Sequence, residues 1–482
     1  MSSNAALFVT PDFGPAMAEI VLLTMASLIL IVDLFVPENR KEITFSLCLA
    51  ALAAVSAVTA FLTPAGTAVT FDGAFVLDPL ARVLKLFTYS VVAVVFIYSR
   101  EYLKERGSDK GEYYLLGLFA TLGIMVLISA HNLLSLYLGL ELLSLSLYAM
   151  VAFDRNNPVA AEAAMKYFVL GAIASGCFLF GTSMIYGVTG SLDLGEIRHA
   201  LTSIDSGNLQ VLFALSFILV GIAFKFGAVP FHMWVPDVYQ GAPTSVTLFI
   251  GTAAKLASFA MLVRIIVEGL GDLHSSWSGM LIVMSVLSMA LGNVIAIAQT
   301  NLKRMLAYST ISHVGFILMG ILAGNPAGTE AALFYTLAYV IMAMIGFGMI
   351  LLLSRRGFEA DELDDLKGLN ERSPWFAGIM LIAMFSMAGV PPFLGFYAKL
   401  AVLGAAIDAG LVWLAVTGVV FSVVGAFYYL RVVKLMYFDD PDEQTMITAG
   451  FDMRLVLSLN GLLVLALGLF PDGLINLCGQ LI

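Results

Sequence analysis

The stretch Gly221-Ile-Ala-Phe-Lys225-Phe-Gly-Ala-Val-Pro230-Phe-His232 places an ionisable side chain five residues before a proline, inside a long apolar run. A charged residue at the centre of a bilayer costs roughly 2.5–3.5 kcal/mol on insertion scales, so a spanning segment keeps one for a purpose. Pro230 interrupts the helix and leaves the carbonyl four residues upstream without its helical donor, free to hold water. This pattern predicts a broken membrane helix with a charge at its break. Such breaks are tolerated only inside protein or beside a hydrated cavity.

The rest of the chain agrees with a membrane setting. Of 482 residues, 60% are apolar and only 12% charged, with 34 acidic against 24 basic residues and a net charge of -10. Soluble domains run near half apolar and about a quarter charged, so a water-soluble multidomain enzyme is excluded. At about 20 residues per span, the apolar runs predict an all-α polytopic protein with about fourteen transmembrane helices. They fall near 15–36, 43–63, 77–98, 113–130, 132–153, 162–188, 208–238, 243–268, 276–298, 302–323, 329–354, 374–406, 409–437 and 454–475. No basic region precedes the first run, which reads as a retained span rather than a cleaved signal. The acids gather in connecting segments such as Glu359 to Asp365 and Asp439 to Glu443, and no basic stripe suggests nucleic acid. Cys48, Cys177 and Cys478 stand apart in apolar stretches, which argues against iron–sulfur or zinc sites.

A second interruption, Gly389-Val-Pro391-Pro392, lies in the twelfth run and resembles Gly227-Ala-Val-Pro230 in the seventh. Each broken run is followed by a helix with an apolar-Arg-apolar stretch, Leu262-Val-Arg-Ile265 and Leu430-Arg-Val-Val433. An odd number of helices separates the breaks, so the two repeats are inverted, an arrangement associated with transport near the bilayer midplane. Lys and Arg placement orients the chain. Arg40, Lys41, Arg100, Lys104, Arg106, Lys110, Arg155, Lys303, Arg304, Arg355, Arg356, Lys367 and Arg372 fall in loops on one side. That bias predicts both termini on the exterior, or periplasmic, side. Arg82 and Lys85, near the outer end of the third helix, are exceptions, and Lys85 is a candidate for burial in a pair or a functional role.

Further charges sit within spans. Glu141, in Leu136-Tyr-Leu-Gly-Leu-Glu141-Leu-Leu-Ser-Leu-Ser-Leu-Tyr148, lies roughly 13 Å of helical rise past His131, near mid-depth. Lys255, in Phe249-Ile-Gly-Thr-Ala-Ala-Lys255, lies about 18 Å into the eighth helix. Lys399 follows the second break. A buried lysine loses proton affinity by desolvation and regains it beside a carboxylate, so movement of a partner charge can switch it. The blander alternative is a set of static ion pairs. Lys166, one turn inside the sixth helix, can snorkel to the interface. His232 and His313 can relay protons near neutral pH or simply pack through hydrogen bonds. Together these residues make a line of one Glu and three or four Lys in successive helices, with no nucleotide loop, metal cluster or catalytic triad.

On these residues the chain resembles the antiporter-like membrane subunits of respiratory complex I, and its subunit N in particular. The resemblance covers nearly the whole chain. It rests on the Leu136–Tyr148 stretch, on Glu162-Ala-Ala-Met-Lys166-Tyr-Phe-Val-Leu-Gly171, on Phe226 through Thr244, and on Gly389 through Lys399. It implies two inverted five-helix repeats, each with a broken helix: an N-terminal three-helix segment over 1–112, repeats over 113–275 and 276–440, and a final helix over 441–482. It also implies a proton relay in which Glu141 modulates Lys225, Lys255 is the central site and Lys399 the terminal one. Lys399 stands where the sister subunit M usually carries Glu, and the chain has no residues for the long lateral helix of subunit L.

The resemblance further implies a multi-pass subunit of the bacterial inner membrane, with the other complex I membrane subunits, the peripheral redox arm and the lipid bilayer as partners. NADH, flavin, iron–sulfur clusters and quinone would serve the wider complex, with no cofactor bound by this chain. A subunit of a multisubunit cation/proton antiporter is the nearest alternative, and a scaffold whose charges are only paired is a different class.

Overall fold

A computed structural model describes residues 10–37, 40–204, 208–441 and 450–482. Asp442 and Glu443, in the acidic segment noted above, lie outside the described residues. In chain order the helices are α1 Met17–Asp33, α2 Glu42–Ala57, α3 Pro79–Glu105, α4 Gly111–Ser129, α5 Leu133–Val151, α6 Pro158–Thr189, α7 Leu194–Leu201, α8 Leu209–Phe226, α9 Trp234–Gly241 and α10 Thr244–Gly251. They continue with α11 Ala253–Leu262, α12 His274–Ile297, α13 Leu302–Leu322, α14 Pro326–Leu353, α15 Leu369–Arg372, α16 Pro374–Ala388, α17 Leu394–Asp408, α18 Val412–Phe438, α19 Phe451–Leu469 and α20 Asp472–Gly479.

Twelve of the helical stretches are long and apolar enough to cross a membrane. The 17-residue α1 and the broken pair α16–α17 complete fourteen crossing segments. The long seventh and twelfth runs resolve as half-helix pairs, α8–α9 and α16–α17. The eighth crossing is also interrupted, with α10 and α11 meeting at Thr252 and a π-helical turn over Val263–Gly269. Elements without a counterpart in the apolar pattern include the short α7 and α15, and a hairpin of β1 Ala68–Thr70 with β2 Phe75–Leu77, paired Val69 to Val76.

Segment starts are set by side-chain caps at the membrane surfaces. Asn132, Asn157, Asn208, Asn301 and Asn325 accept from first-turn backbone N–H groups of α5, α6, α8, α13 and α14. Asp78 does the same for α3, with Pro79 behind it. These are the residues that satisfy otherwise orphaned donors best. The first two helices of each repeat pack backbone to backbone. A Cβ on Gly123 of α4 would lie 2.5 Å from Leu143 N of α5, and one on Gly292 of α12 would lie 2.6 Å from Ser312 N of α13. The eighth segment, α13 and α14 are almost wholly enclosed. By contrast α18 turns Val416, Val420, Val423 and Phe427 outward, as a lipid- or subunit-facing helix does.

Candidate functional site

Both broken helices end the same way. Gly227 terminates α8 and Gly389 terminates α16, each in the left-handed region, at φ 77° and 87°. The carbonyl four residues before Pro230 belongs to Phe226, and the one four residues before Pro392 belongs to Ala388. Each is occupied by a lysine. Lys255 Nζ of α11 donates to Phe226 O at 2.7 Å, and Lys399 Nζ of α17 donates to Ala388 O at 2.8 Å. An ammonium at a helix C-terminus meets the negative end of the macrodipole as well as a lone pair. The carbonyl freed by Pro230 was expected to be open to water; it accepts instead from Lys255, and its counterpart Ala388 O accepts from Lys399.

The remaining carbonyls at the end of α8 are also capped by side chains. Trp234 Nε1 donates to Phe224 O at 2.9 Å, and Ser258 Oγ donates to Lys225 O at 3.3 Å. Ser258 lies one turn beyond Lys255, so α11 grips two successive peptides of the break. Lys255 also stands 5.7 Å from the Trp234 ring centre, and Lys399 stands 5.4 Å from that of Phe316. Lys399 has a second acceptor, Ser422 Oγ, at 2.8 Å.

Lys225 is buried and donates to Ser144 Oγ at 2.6 Å. Ser144 lies one turn after Glu141 on the same face of α5. Among the described residues no ion pair within 4.0 Å joins Glu141 to Lys225, and Glu141 Oε1 is buried without a hydrogen-bond partner. Glu141 therefore faces the lysine as a nearby charge rather than as a contact partner, which a simple static pair would not require.

His313 of α13 sits deep in the second repeat, between two tyrosines. Its Nδ1 lies 2.8 Å from Tyr335 Oη and its Nε2 3.1 Å from Tyr429 Oη. Tyr429 continues to Ser309 Oγ at 2.5 Å, and Tyr339 pairs with Thr310 at 2.8 Å. Tyr428 donates to Asn293 Oδ1 at 3.0 Å, whose amide donates to Ser312 at 2.8 Å. The sequence marks His313 but not these tyrosines and Asn293. Their apolar rings carry helical spacing and read as packing, and only the fold shows the hydroxyls converging.

The accessory candidates have other surroundings. Lys166 stays at the rim, with Glu162 Oε1 at 2.9 Å and Asp237 Oδ2 at 2.8 Å. Asp237 also meets Arg304 at 2.9 Å, so α9 is clamped between α6 and α13. His232 lies in the seventh-segment break, with Nδ1 buried and without a hydrogen-bond partner. Pro230, Pro391 and Pro392 are exposed, with Pro392 O packed close to Gly468 of α19. Lys85 is fully buried against Glu19 at 2.5 Å, and Arg82 donates to Pro64 O, so neither is a free loop charge. Arg264 is likewise buried, with Asp78 at 2.7 Å and Glu268 at 2.7 Å. Among the described residues no group of three or more His, Cys, Asp or Glu side chains is placed to hold a metal ion.

The chain is similar in sequence and fold to known proteins. The family described as NADH:quinone oxidoreductase/Mrp antiporter, TM matches residues 130–425. NADH-quinone oxidoreductase subunit N of Thioalkalivibrio sulfidiphilus is 61% identical over 471 residues, covering 98% of each chain. Its counterpart from Thiobacillus denitrificans is 57% identical with the same coverage, 98% of each chain. Among solved structures, a chain of respiratory complex I from Thermus thermophilus with bound Aureothin aligns with a TM-score of 0.83 at 32% identity, covering 96% of this chain and 100% of that one. A chain of the archaeal membrane-bound sulfane sulfur reductase aligns with a TM-score of 0.84 at 26% identity, covering 97% of each. With a family match across more than half its length and full-length relatives at this identity, the chain belongs to the NADH-quinone oxidoreductase subunit N family.

Proposed function

We propose that the subunit moves protons through Glu141, Lys225, Lys255, His313 and Lys399, driven by electron transfer from NADH to quinone elsewhere in the complex. The observation that carries this reading is the pair of lysines lodged on the freed carbonyls of the two broken helices. A lysine so placed has a hydrogen-bond acceptor in either protonation state and gains helix-dipole stabilisation only when charged. Small movements of a break then change its proton affinity.

The repeats bounded at 113–275 and 276–440 divide the work. In the first, Glu141 favours the charged form of Lys225. When that influence weakens, Lys225 releases its proton towards Lys255, to which it is linked through the Lys225 and Phe226 peptides gripped by α11. In the second, His313 and its tyrosines bridge towards Lys399, whose two acceptors hold the arriving charge. NADH, flavin, iron–sulfur clusters and quinone belong to the partner subunits, and the chain sits in the bacterial inner membrane with both termini outside. Lys166 and His232 have supporting roles at the seventh-segment break.

Replacing Lys255 tests this reading. Met keeps approximate length and packing but cannot titrate, whereas Arg keeps the charge and cannot release it at physiological pH. In complexes assembled to equal abundance and reconstituted in vesicles, both Lys255→Met and Lys255→Arg are expected to lose most coupled quinone reduction and pumping. Near-wild-type turnover with Arg would show that a fixed charge suffices.

A further inference from the structure

A vestibule of about 1090 Å³ opens on the Lys- and Arg-rich side and is lined by Lys104, Arg106, Arg155, Lys303, Arg356 and Glu359 among others. It belongs to none of the relay residues, yet its floor is the start of the eighth crossing segment, the one that carries Lys255. Glu359 is one of several carboxylates lining the vestibule, with Glu105, Asp154, Asp361 and Glu362. Tyr102 Oη donates to both of its oxygens at 3.1 Å, Thr244 Oγ1 donates to Oε1, and Arg106 pairs with Oε2. Lys303 Nζ stands 3.9 Å away, shared with Asp361 at 3.5 Å. These are the charged and titratable groups that face Glu359 from α3, the loop after it, α13 and its own loop.

Behind this floor the protein is polar where it need not be. Thr244 is fully buried at the first position of α10. Ser245 Oγ of α10 and Tyr239 Oη of α9 are buried without a hydrogen-bond partner in the protein. Thr247 Oγ1 donates to Tyr239 O at 2.9 Å, and Thr252 stands at the α10–α11 interruption, three residues before Lys255. Buried polar atoms are ordinarily satisfied, and two such orphans mark places for water. From Thr244 to Lys255 the rise is about 16 Å, a length that a few waters and hydroxyls cover.

We propose that Glu359 is the proton-loading residue of the first repeat, with Thr244, Ser245 and Tyr239 forming the hydroxyl file that leads from it to Lys255. A hydronium ion or protonated buffer in the vestibule gives its proton to the Glu359 carboxylate and leaves as water or free base. The Thr244 hydroxyl, which donates to the charged carboxylate, turns inward once that carboxylate is neutral, accepts the carboxyl proton and passes its own along the file. The last transfer places a proton on the lone pair of neutral Lys255, and Glu359 is again a carboxylate. The cationic rim raises the local concentration of anions and buffers and holds Glu359 in place. Of the carboxylates lining the vestibule, Glu359 is the one hydrogen-bonded to Thr244. The assignment rests on the relay reading of Lys255 above.

Glu359→Gln keeps the acceptor for Thr244 and Tyr102 but carries no proton, and Thr244→Val keeps the shape but removes the hydroxyl. In assembled complex reconstituted in vesicles, both variants are expected to couple quinone reduction to pumping about tenfold more slowly than wild type near pH 8.5, where protons are scarce. The deficit should narrow to within about twofold near pH 6, where loading no longer depends on one group. Glu359→Asp should restore most of the alkaline rate. A wild-type pH profile in either variant, or a loss of equal size at every pH, would overturn the assignment, since the latter is what a cap or anchor gives. Lys255→Met measured alongside separates the two readings: it should be inactive across the whole range, and a pumping Lys255→Met would sink the relay itself rather than its mouth.

Discussion

In the proposed relay, Glu141 acts on Lys225 without touching it. Lys225 spends its hydrogen bond on Ser144, while the carboxylate one turn away keeps an oxygen buried and unpartnered. Leaving a charge in that state is costly unless another charge is near enough to be felt. At separations of ~6–10 Å and an effective dielectric of ~20, one charge biases another by about 2 kcal/mol, close to thirtyfold in a protonation equilibrium. Glu141→Ala is therefore expected to leave the complex assembled while cutting quinone-coupled pumping in vesicles several-fold, because Lys225 is no longer held charged between cycles. Glu141→Asp, shorter but charged, should retain most of the rate. Normal pumping by Glu141→Ala at confirmed assembly would remove the carboxylate from the mechanism. The same logic explains why Lys85, equally buried, is assigned no relay role. It meets Glu19 directly at 2.5 Å, and removing one partner of such a pair costs about 3–5 kcal/mol through the charge left behind.

At the scale of the element, the break and the lysine form one device. Gly389 stands at φ +87°, and a Cβ there would lie 2.8 Å from Lys399 Cδ and 3.2 Å from its Nζ. Gly389→Ala adds a left-handed backbone cost of roughly 1–2 kcal/mol and pushes the lysine off Ala388 O. Gly410 is the matched control, since it has φ +79° and nothing within 4 Å of a Cβ. Both variants are expected to lower thermal stability modestly and alike. Only Gly389→Ala should lose turnover, read as quinone reduction per assembled complex; equal losses in the two would mean that the Lys399 contact does no work. The halves of each break, and the lysines beside them, were legible in the sequence because Gly, Pro and Lys within an apolar run are each improbable alone. What the lysines hold was not. Lys255 reaches Phe226 across 29 residues of chain and Tyr429 reaches His313 across 116, and no local period encodes either meeting. The tyrosines of the second repeat were hidden for a related reason: a Tyr in a span is apolar over most of its surface, and only its partners reveal the hydroxyl as the working part.

For the whole molecule, the asymmetry of charge between the two membrane faces survives folding and sharpens. On the basic side Lys41, Arg100, Lys104, Arg106, Lys303 and Arg304 meet acidic partners around the vestibule and its rim. On the other face the fold consumes the cations that blurred the sequence pattern. Lys85 and Arg264 are buried in ion pairs, and Arg82 is spent on a loop carbonyl, leaving Arg198 with Asp272 at 2.9 Å as an exposed pair there. Loops rich in Lys and Arg resist translocation, so the vestibule side should face the cytoplasm and supply the protons. Gly473, exposed beyond α19 with nothing within 4 Å of a Cβ, and Asp364, exposed on the vestibule side, are suitable reporters. Cys48 and Cys478 are buried and Cys177 is half-buried within α6, so Cys177→Ser is the background in which both reporters are placed. In intact right-side-out spheroplasts an impermeant maleimide is expected to label Gly473→Cys readily and Asp364→Cys only after the membrane is opened. The reverse pattern would invert the subunit, place the Glu359 vestibule on the side where protons are released, and turn its proposed loading function into an exit.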